Sequence, residues 1–512
     1  MKKIILYVLI FSHILNHLDA SWSTAQLINN STQSSNDANY VRISHDPFGN
    51  AACVWIENDG SDDWVKTSTY NYNVGWTDAH FFSPQYSSRD YYDQVISHNK
   101  FGDAICILPS FNGVSNYTVA AQHYNYATNN WSASGTIGFG GTTRWTDFDM
   151  KHDVFGNAIV VFISYAAGNY GVDYLYHDHN TSDWSSSVPL GLSSSSPNIA
   201  RNPKISFDSS GNAICVWEEW DGVSKYVIKA AHYTHGFGGS GSWGVAATIS
   251  PATHSCTKPE IEHTPEGVAH CVYGASDGVN SFIGWSFYIP SPGPGWAYSS
   301  FLDATSHGGF SYLPKIASDV LGNLICVWRE SSGSSHSVKA IRFTYPTGWD
   351  SSSETIGNDI NSVCGPRISM DIFGNAICAW YTSGSTYDAV TVARYVNGFG
   401  WKSAEAINNP NQDGHALTTE ISHDPWGNAI LVWEETVGGV RKIKYSHYMH
   451  DQDDDFHIQN NNFQSEINSL EALYNAINRR VLILEGLVSQ RPIVRRDAQD
   501  YFEEETNGEG GE

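Results

Sequence analysis

The chain has 512 residues, with 28 Lys and Arg against 53 Asp and Glu, for a formal net charge of −25. It has no basic run longer than a pair such as Arg495-Arg496, so counterion release from phosphates has little to work with and no nucleic-acid partner is expected. The length exceeds what one compact core supports outside large all-β or repeat structures, and 41% apolar, 13% aromatic and only 16% charged residues suit many short strands joined by turns.

Residues 1–20 have the build of a secretory signal. Lys2 and Lys3 precede an apolar run, Ile4 to Phe11 and on through Ile14-Leu15, and Leu18-Asp19-Ala20 offers a cleavage site before Ser21. The run is shorter than the ~20 residues of a membrane span. The expectation is a secreted, periplasmic or cell-surface protein with no membrane span after signal removal. An uncleaved N-terminal anchor is the alternative.

From Ser21 to about residue 449 one unit is written eight times. "ISHDPFGNAACVW" (Ile43 to Trp55) returns as "ISHDPWGNAILVW" (Ile421 to Trp433). Its glycine recurs at Gly49, Gly102, Gly156, Gly211, Gly267, Gly322, Gly374 and Gly427, at intervals of 53, 54, 55, 56, 55, 52 and 53 residues. Trp22, Trp76, Trp131, Trp184, Trp243, Trp296, Trp349 and Trp401 keep the same period, so two landmarks define one repeat.

The fourth copy shows how a unit divides. "PKISF" (Pro203 to Phe207) leads through Asp208-Ser209-Ser210-Gly211-Asn212 into the alternating "AICVW" (Ala213 to Trp217). "EEWDG" reads as the next turn, "KYVIKAAHY" (Lys225 to Tyr233) as a third strand and the Trp243 segment as a fourth. Asp208 is suited to accept bonds from the turn backbone, Gly211 tolerates positive φ, and Asn212 is the next best residue for such a conformation. The equivalent turn residues are Asp46 and Gly49, Asp153 and Gly156, Asp319 and Gly322, Asp371 and Gly374, and Asp424 and Gly427. Four strands per unit and a period a little above fifty predict an all-β, eight-bladed β-propeller of four-stranded antiparallel blades.

The pattern I-S-x-D-x-x-G-N-A-x-x-V-W resembles the inner hairpin of NHL-type propeller blades. It is more loosely similar to the Asp-box of sialidase-like propellers, and it resembles repeats in secreted bacterial proteins of unknown function. The resemblance spans Trp22 to about Tyr448. One extra residue separates Asp from Gly relative to an Asp-box, so sialidase chemistry does not carry over. The NHL likeness implies that "PKIS" is innermost, "AICVW" second, "IKAAHY" third and the Trp segment outermost. On that order the last copy lacks an outer strand, and Trp22 to Ile28 has no blade before it. That segment is expected to close the ring as the outer strand of the last blade.

Cysteine and histidine are the next candidates for chemistry. Cys53, Cys106, Cys215, Cys271, Cys326 and Cys378 share one repeat position, filled by Val160 and Leu431 elsewhere, and read as small core hydrophobes. Cys256 and Cys364 fall in what read as loops two blades apart, and no disulfide is expected. His45, His98, His152, His263 and His423 share the position before the turn, where Phe207, Ser318 and Met370 stand in the other copies, so packing is expected there and no metal or cofactor. Trp55, Trp217, Trp328, Trp380 and Trp433, with Phe162 and Tyr273, read as core aromatics between blades.

Ligand contacts are expected on loops, where the copies differ. The longest connections, Ser83 to Gln94, Gly138 to Asp147 and Asp303 to Pro314, share a face with the acidic turns Glu57-Asn58-Asp59 and Glu218-Glu219-Trp220-Asp221. Tyr86, Tyr91, Tyr92, Trp145, Trp220, Phe310 and Tyr312 are the candidate ligand-binding residues, placed to stack on sugar rings beside carboxylates. Arg42, Arg89, Arg144, Arg201 and Arg329 are scattered along the chain, Glu218 and Glu434 recur by repetition, and no nucleophile elbow or zinc signature appears. The expected function is therefore a non-catalytic, lectin-like or adhesin-like binder. A scaffold for protein partners is the alternative, and a propeller hydrolase acting on glycans the second alternative.

An acidic and polar linker, 450–462, precedes a coiled-coil-like helix expected over 463–490. Phe463, Ile467, Leu470, Tyr474, Ile477, Val481, Leu484 and Val488 follow 4-3-4-3 spacing. That seam predicts a homo-oligomer, and so multivalency. A helix folded against its own propeller is the alternative. Residues 491–512 read as a disordered acidic tail.

Overall fold

The structure is a computed structural model that describes residues 21–450 apart from 29–36, 59–62, 87–93, 112–116, 142–144, 167–168, 192–198, 237–240, 291–294, 303–309, 333–334, 361–364, 383–387 and 409–414. The signal, linker, helix and tail readings, with Cys364, lie outside the described residues.

Each of the eight repeats folds into one antiparallel sheet, and the sheets form the blades of a propeller. Blades 1 to 8 are named here by their inner strands: Asp37–His45, Val95–His98, Trp145–His152, Ala200–Phe207, Ser255–His263, Phe310–Ser318, Arg367–Met370 and Ala416–His423. Blade 4 is typical. Its inner strand pairs with Ala213–Trp220, which pairs with Tyr226–Thr234, and the outer strand is broken into Ser242–Trp243 and Ala247–Thr248.

The N-terminal segment closes the ring. Ser21 and Trp22 pair with Met449 and Tyr448, and Gln26 and Leu27 pair with Tyr445 and Lys444, all on the third strand of blade 8. Ser23 fills the gap between the two pieces, its N–H donating to the His447 carbonyl at 2.8 Å. Both ends of the propeller sequence are thus bound into one sheet, and the third strand of blade 8 is paired on its outer side from Ile443 to Met449.

The core lies between blades. Trp55 packs with Ile430, Val432 and Ile443 of blade 8, and Trp217 with Ile159 and Val161 of blade 3, so each second-strand aromatic fills the space against the preceding blade. Trp55, Trp217, Trp328, Trp380, Trp433, Tyr273 and Phe162 are among the largest fully buried side chains. Three of the indoles also donate to a buried carboxylate two residues on: Trp55 to Glu57 at 3.3 Å, Trp217 to Glu219 at 3.1 Å and Trp433 to Glu435 at 2.8 Å. Lys66 lies 2.7 Å from Glu57 on the neighbouring strand, so that carboxylate is paired and bonded inside the blade. Two readings are corrected here. Glu57, Glu218 and Glu219 belong to second strands and are buried rather than exposed in turns, and Glu57 and Glu219 serve this packing. Cys256 lies on the inner strand of blade 5, fully buried, not in a loop. The seven described cysteines are free and buried.

The repeated turn is a side-chain knot. In blade 1, Asp46 Oδ1 accepts the N–H groups of Phe48 and Asn50, both at 2.8 Å, while Asn50 Nδ2 donates to Asp46 Oδ2. Gly49 takes φ +86°. The asparagine does not share that left-handed conformation. Its amide oxygen instead accepts an N–H just past the third strand, as from His235 to Asn212 and from His450 to Asn428. Asn therefore ties the inner hairpin to the third strand.

Candidate functional site

The inner strands surround a central channel, and five of the eight are bent in the same way. Their pairing slips between Asn39 and Arg42, Thr146 and Asp149, Arg201 and Lys204, Thr257 and Glu260, and Tyr312 and Lys315. The slip inserts a bulge, and the bulged residue is left-handed: Tyr40, Asp147, Asn202, Lys258 and Leu313, joined in blade 8 by Thr418. None of the six is glycine, and such a conformation costs of order 1 kcal/mol or more per residue. Neighbouring blades hold several of the bulges. Glu434 of blade 8 accepts the Tyr40 N–H at 2.6 Å, Glu218 of blade 4 accepts the Lys258 N–H at 2.7 Å, and Asp147 of blade 3 accepts the Asn202 N–H at 3.3 Å. Glu218 and Glu434, read from the sequence as mere repetition, are anchors for the next blade.

The bulges face a cavity of about 500 Å³ at the channel mouth. Five of the six, Tyr40, Asn202, Lys258, Leu313 and Thr418, line it, together with Tyr381, Glu434 and Arg441. Deeper in the channel a second cavity of about 330 Å³ begins. Around it each blade presents one repeat position: Arg42, Val95, Asp149, Lys204, Glu260, Lys315, Arg367 and Glu420 in ring order, of which Lys204, Glu260, Lys315 and Arg367 also line the mouth cavity.

This belt is ion-paired. Glu420 lies 3.1 Å from Arg367 and 3.4 Å from Arg42, Lys204 lies 3.9 Å from Asp149, and Lys315 is bonded to Glu260. Arginines distant in the sequence thus converge across blades 1 and 7, which corrects the expectation that Arg forms no cluster. Burial drives the Lys315 ammonium down to about 8, with Arg367 and Lys204 adding repulsion and Glu260 opposing. Burial would raise Glu260, but Lys315, Lys204 and Arg367 hold its carboxyl below the usual range. Glu434 moves the other way, raised by burial despite the Tyr40 N–H and Arg441.

Of the residues expected to bind ligand, Trp220 and Tyr312 have described side chains, and both lie outside the mouth cavity. Trp220 ends a second strand, edge-on to Tyr226 at 5.2 Å, and Tyr312 lies beneath the Arg329 guanidinium at 4.9 Å. Tyr86 ends the strand His80–Tyr86, while Trp145 and Phe310 begin inner strands. Tyr91 and Tyr92 lie outside the described residues. The signal that points to the mouth is the belt position itself, where the copies keep their flanking pattern but change charge.

The five aligned histidines end inner strands. Burial holds His98, His263 and His423 at about 3, and His45 and His152 well below the ordinary value, so these imidazoles are neutral. His152 and His263 bond through Nδ1 to Ser97 and Ser206 of the preceding blades, both at 3.0 Å. Among the described residues no group of three or more His, Cys, Asp or Glu is placed to hold a metal ion.

No family model and no curated protein matches the chain. Solved structures do. The polysaccharide lyase Uly1 is 10% identical with a TM-score of 0.46, over 73% of this chain and 93% of that one. An ulvan lyase of polysaccharide lyase family PL25 is 11% identical with a TM-score of 0.44, over 73% and 94%. The GH93 α-L-arabinofuranosidase of Fusarium graminearum is 11% identical with a TM-score of 0.36, over 60% and 91%. At this degree of likeness none of them assigns an activity to the chain.

Proposed function

We propose that the channel mouth is a saccharide-binding site. The observation that carries this reading is the set of left-handed bulges, which turns five unlike side chains into one cavity at a cost in backbone strain. Tyr40 and Tyr381 offer ring faces to pyranoses, and Asn202, Thr418, Lys258 and Arg441 offer hydrogen-bonding groups for hydroxyls. A concave cavity that sets apolar and ring surfaces beside ion-paired charges suits a sugar chain better than a flat protein partner, so the scaffold reading has less support.

A second reading is hydrolysis of the bound glycan. It is favoured by two carboxyls that line the same cavity in unlike settings, Glu434 accepting the Tyr40 N–H and Glu260 paired with Lys315. The proposal extends to a secreted or surface location and to multivalency through residues 463–490, by which avidity rises ~10²–10⁴ without new contacts. The likeness of the repeat to NHL-type blades concerns turn chemistry and brings no ligand with it.

An oligosaccharide array followed by calorimetry on the full chain tests the reading. Tyr40→Ala is expected to weaken binding at least tenfold with an unchanged near-ultraviolet spectrum. Glu434→Gln separates the two readings, since a hydrolase loses turnover but keeps binding, whereas a simple binder shows no turnover in either form. An array without any saccharide signal sinks both.

A further inference from the structure

The charge order around the belt carries an inference that rests on the saccharide reading and deepens it. From blade 3 to blade 6 the sign alternates: Asp149, Lys204, Glu260, Lys315. From blade 7 through blade 8 to blade 1 it alternates again, Arg367, Glu420, Arg42, with the carboxylate ion-paired to both guanidinium groups. The alternation fails where the two runs meet, between blades 6 and 7, which set Lys315 beside Arg367. Like charges at adjacent positions repel, and no carboxylate of the belt stands between them. Both side chains line the mouth and the channel below it.

We propose that Lys315 and Arg367 form an anion subsite, and that the saccharide taken at the mouth is an acidic one whose carboxylate or sulfate seats between them. An oxyanion there supplies the missing negative member of the belt. Arg367 offers a planar fork suited to two oxygens and Lys315 a compact point charge. The setting favours the same sign of ligand. Among the described residues the mouth carries Lys204, Lys258 and Arg441 in addition, against Glu260 and Glu434, in a chain whose formal charge is −25. Cations gathered in a concave site focus the local field towards an anion even where the whole molecule is acidic. Burial and the two neighbouring cations lower Lys315 to about 8, and a bound oxyanion relieves that repulsion.

The test is thermal protection of the full chain by glucuronate, sulfate and glucose at fixed ionic strength, repeated with neutral and uronate-containing oligosaccharides. Glucuronate is expected to protect and glucose, which differs only at the charged carbon, is not. Protection by sulfate but not by glucuronate keeps the subsite and assigns its ligand as a sulfate ester. Lys315→Met and Arg367→Gln are expected to weaken the anion response at least tenfold. Arg42→Gln, which removes the other partner of Glu420, leaves the response in place; equal loss in that variant overturns the proposal as a general charge effect. Equal protection by glucose, or equal affinity for neutral and acidic oligosaccharides, also overturns it. Anion protection without oligosaccharide binding of any kind leaves the subsite standing and defeats the saccharide reading alone. Should the variants fold poorly, the wild-type chain decides: glucuronate affinity falls with rising pH above about 8 as Lys315 loses its charge. An affinity flat from about pH 7 to 10 overturns the proposal.

Discussion

The hydroxyl of Ser422, in the last blade, accepts the backbone N–H of His45, in the first, at 3.2 Å. The same bond joins Ser44 to His98 at 3.1 Å, Ser206 to His263 at 3.1 Å and Ser369 to His423 at 3.1 Å. The serine of the repeated I-S-x-D line is thus a latch from one inner strand to the next. The junction between the first and last blades is built like an internal junction.

Ser422→Ala and Ser369→Ala are therefore expected to destabilise the protein by similar amounts, each about 1–2 kcal/mol, since each leaves a part-buried N–H without its acceptor. Denaturant midpoints at unchanged slope check this. A negligible effect at Ser422 beside a clear one at Ser369 would show a ring that is loose at its seam.

Gly374 and Gly75 make a matched pair. Both are left-handed, at φ +83° and +95°. A Cβ on Gly374 would stand 2.9 Å from Asp319 Oδ2 of the preceding blade and 2.9 Å from Asn397 Nδ2, whereas one on Gly75 meets nothing within 4 Å. Gly75→Ala is expected to cost about 1 kcal/mol from backbone conformation alone. Gly374→Ala adds the clash and should cost at least twice as much, read from thermal or chemical denaturation. Equal costs would mean that the turn glycine serves only its own backbone.

Acid is expected to weaken the fold before the carboxylates titrate. His98, His263, His270 and His423 fall to about 3 in the folded state, through burial first, while an unfolded histidine titrates near 6.5. The folded pKa lies below the unfolded one, so protons bind the unfolded chain preferentially. Stability is full above about pH 6.5 and declines below it, with a slope of about 1.4 kcal/mol per pH unit for each proton taken up on unfolding. Asp46, Asp153, Asp319, Asp371 and Asp424 are raised by burial and act in the opposite sense, but only nearer the carboxylate range. Melting temperatures at pH 7, 6 and 5 check the window. A melting temperature unchanged between pH 7 and 5 would mean that these imidazoles are protonated as easily in the fold as outside it.

What the sequence determined by itself is local or periodic. An Asp, a Gly and an Asn at fixed offsets close a hairpin through bonds within five residues, as Asp46 and Asn50 do, so the turn can be read from one copy. The blade number, the inter-blade aromatics and the closing role of Trp22 follow from counting copies, because every blade buries the same face against its neighbour. The role of the asparagine needed the third strand, and the burial of Glu218 and Glu434 needed the next blade. The channel mouth was decided by tertiary structure alone. Tyr40, Asn202, Lys258, Leu313 and Thr418 share no side-chain chemistry, and their left-handed backbone has no sequence signature, because anchors from the preceding blade hold it at Tyr40 and Lys258. Arg42 and Arg367 look scattered along the chain and meet on Glu420 only because the ring closes. A propeller brings one position from every repeat to its axis, and the charges that gather there depend on the order of the blades around the ring.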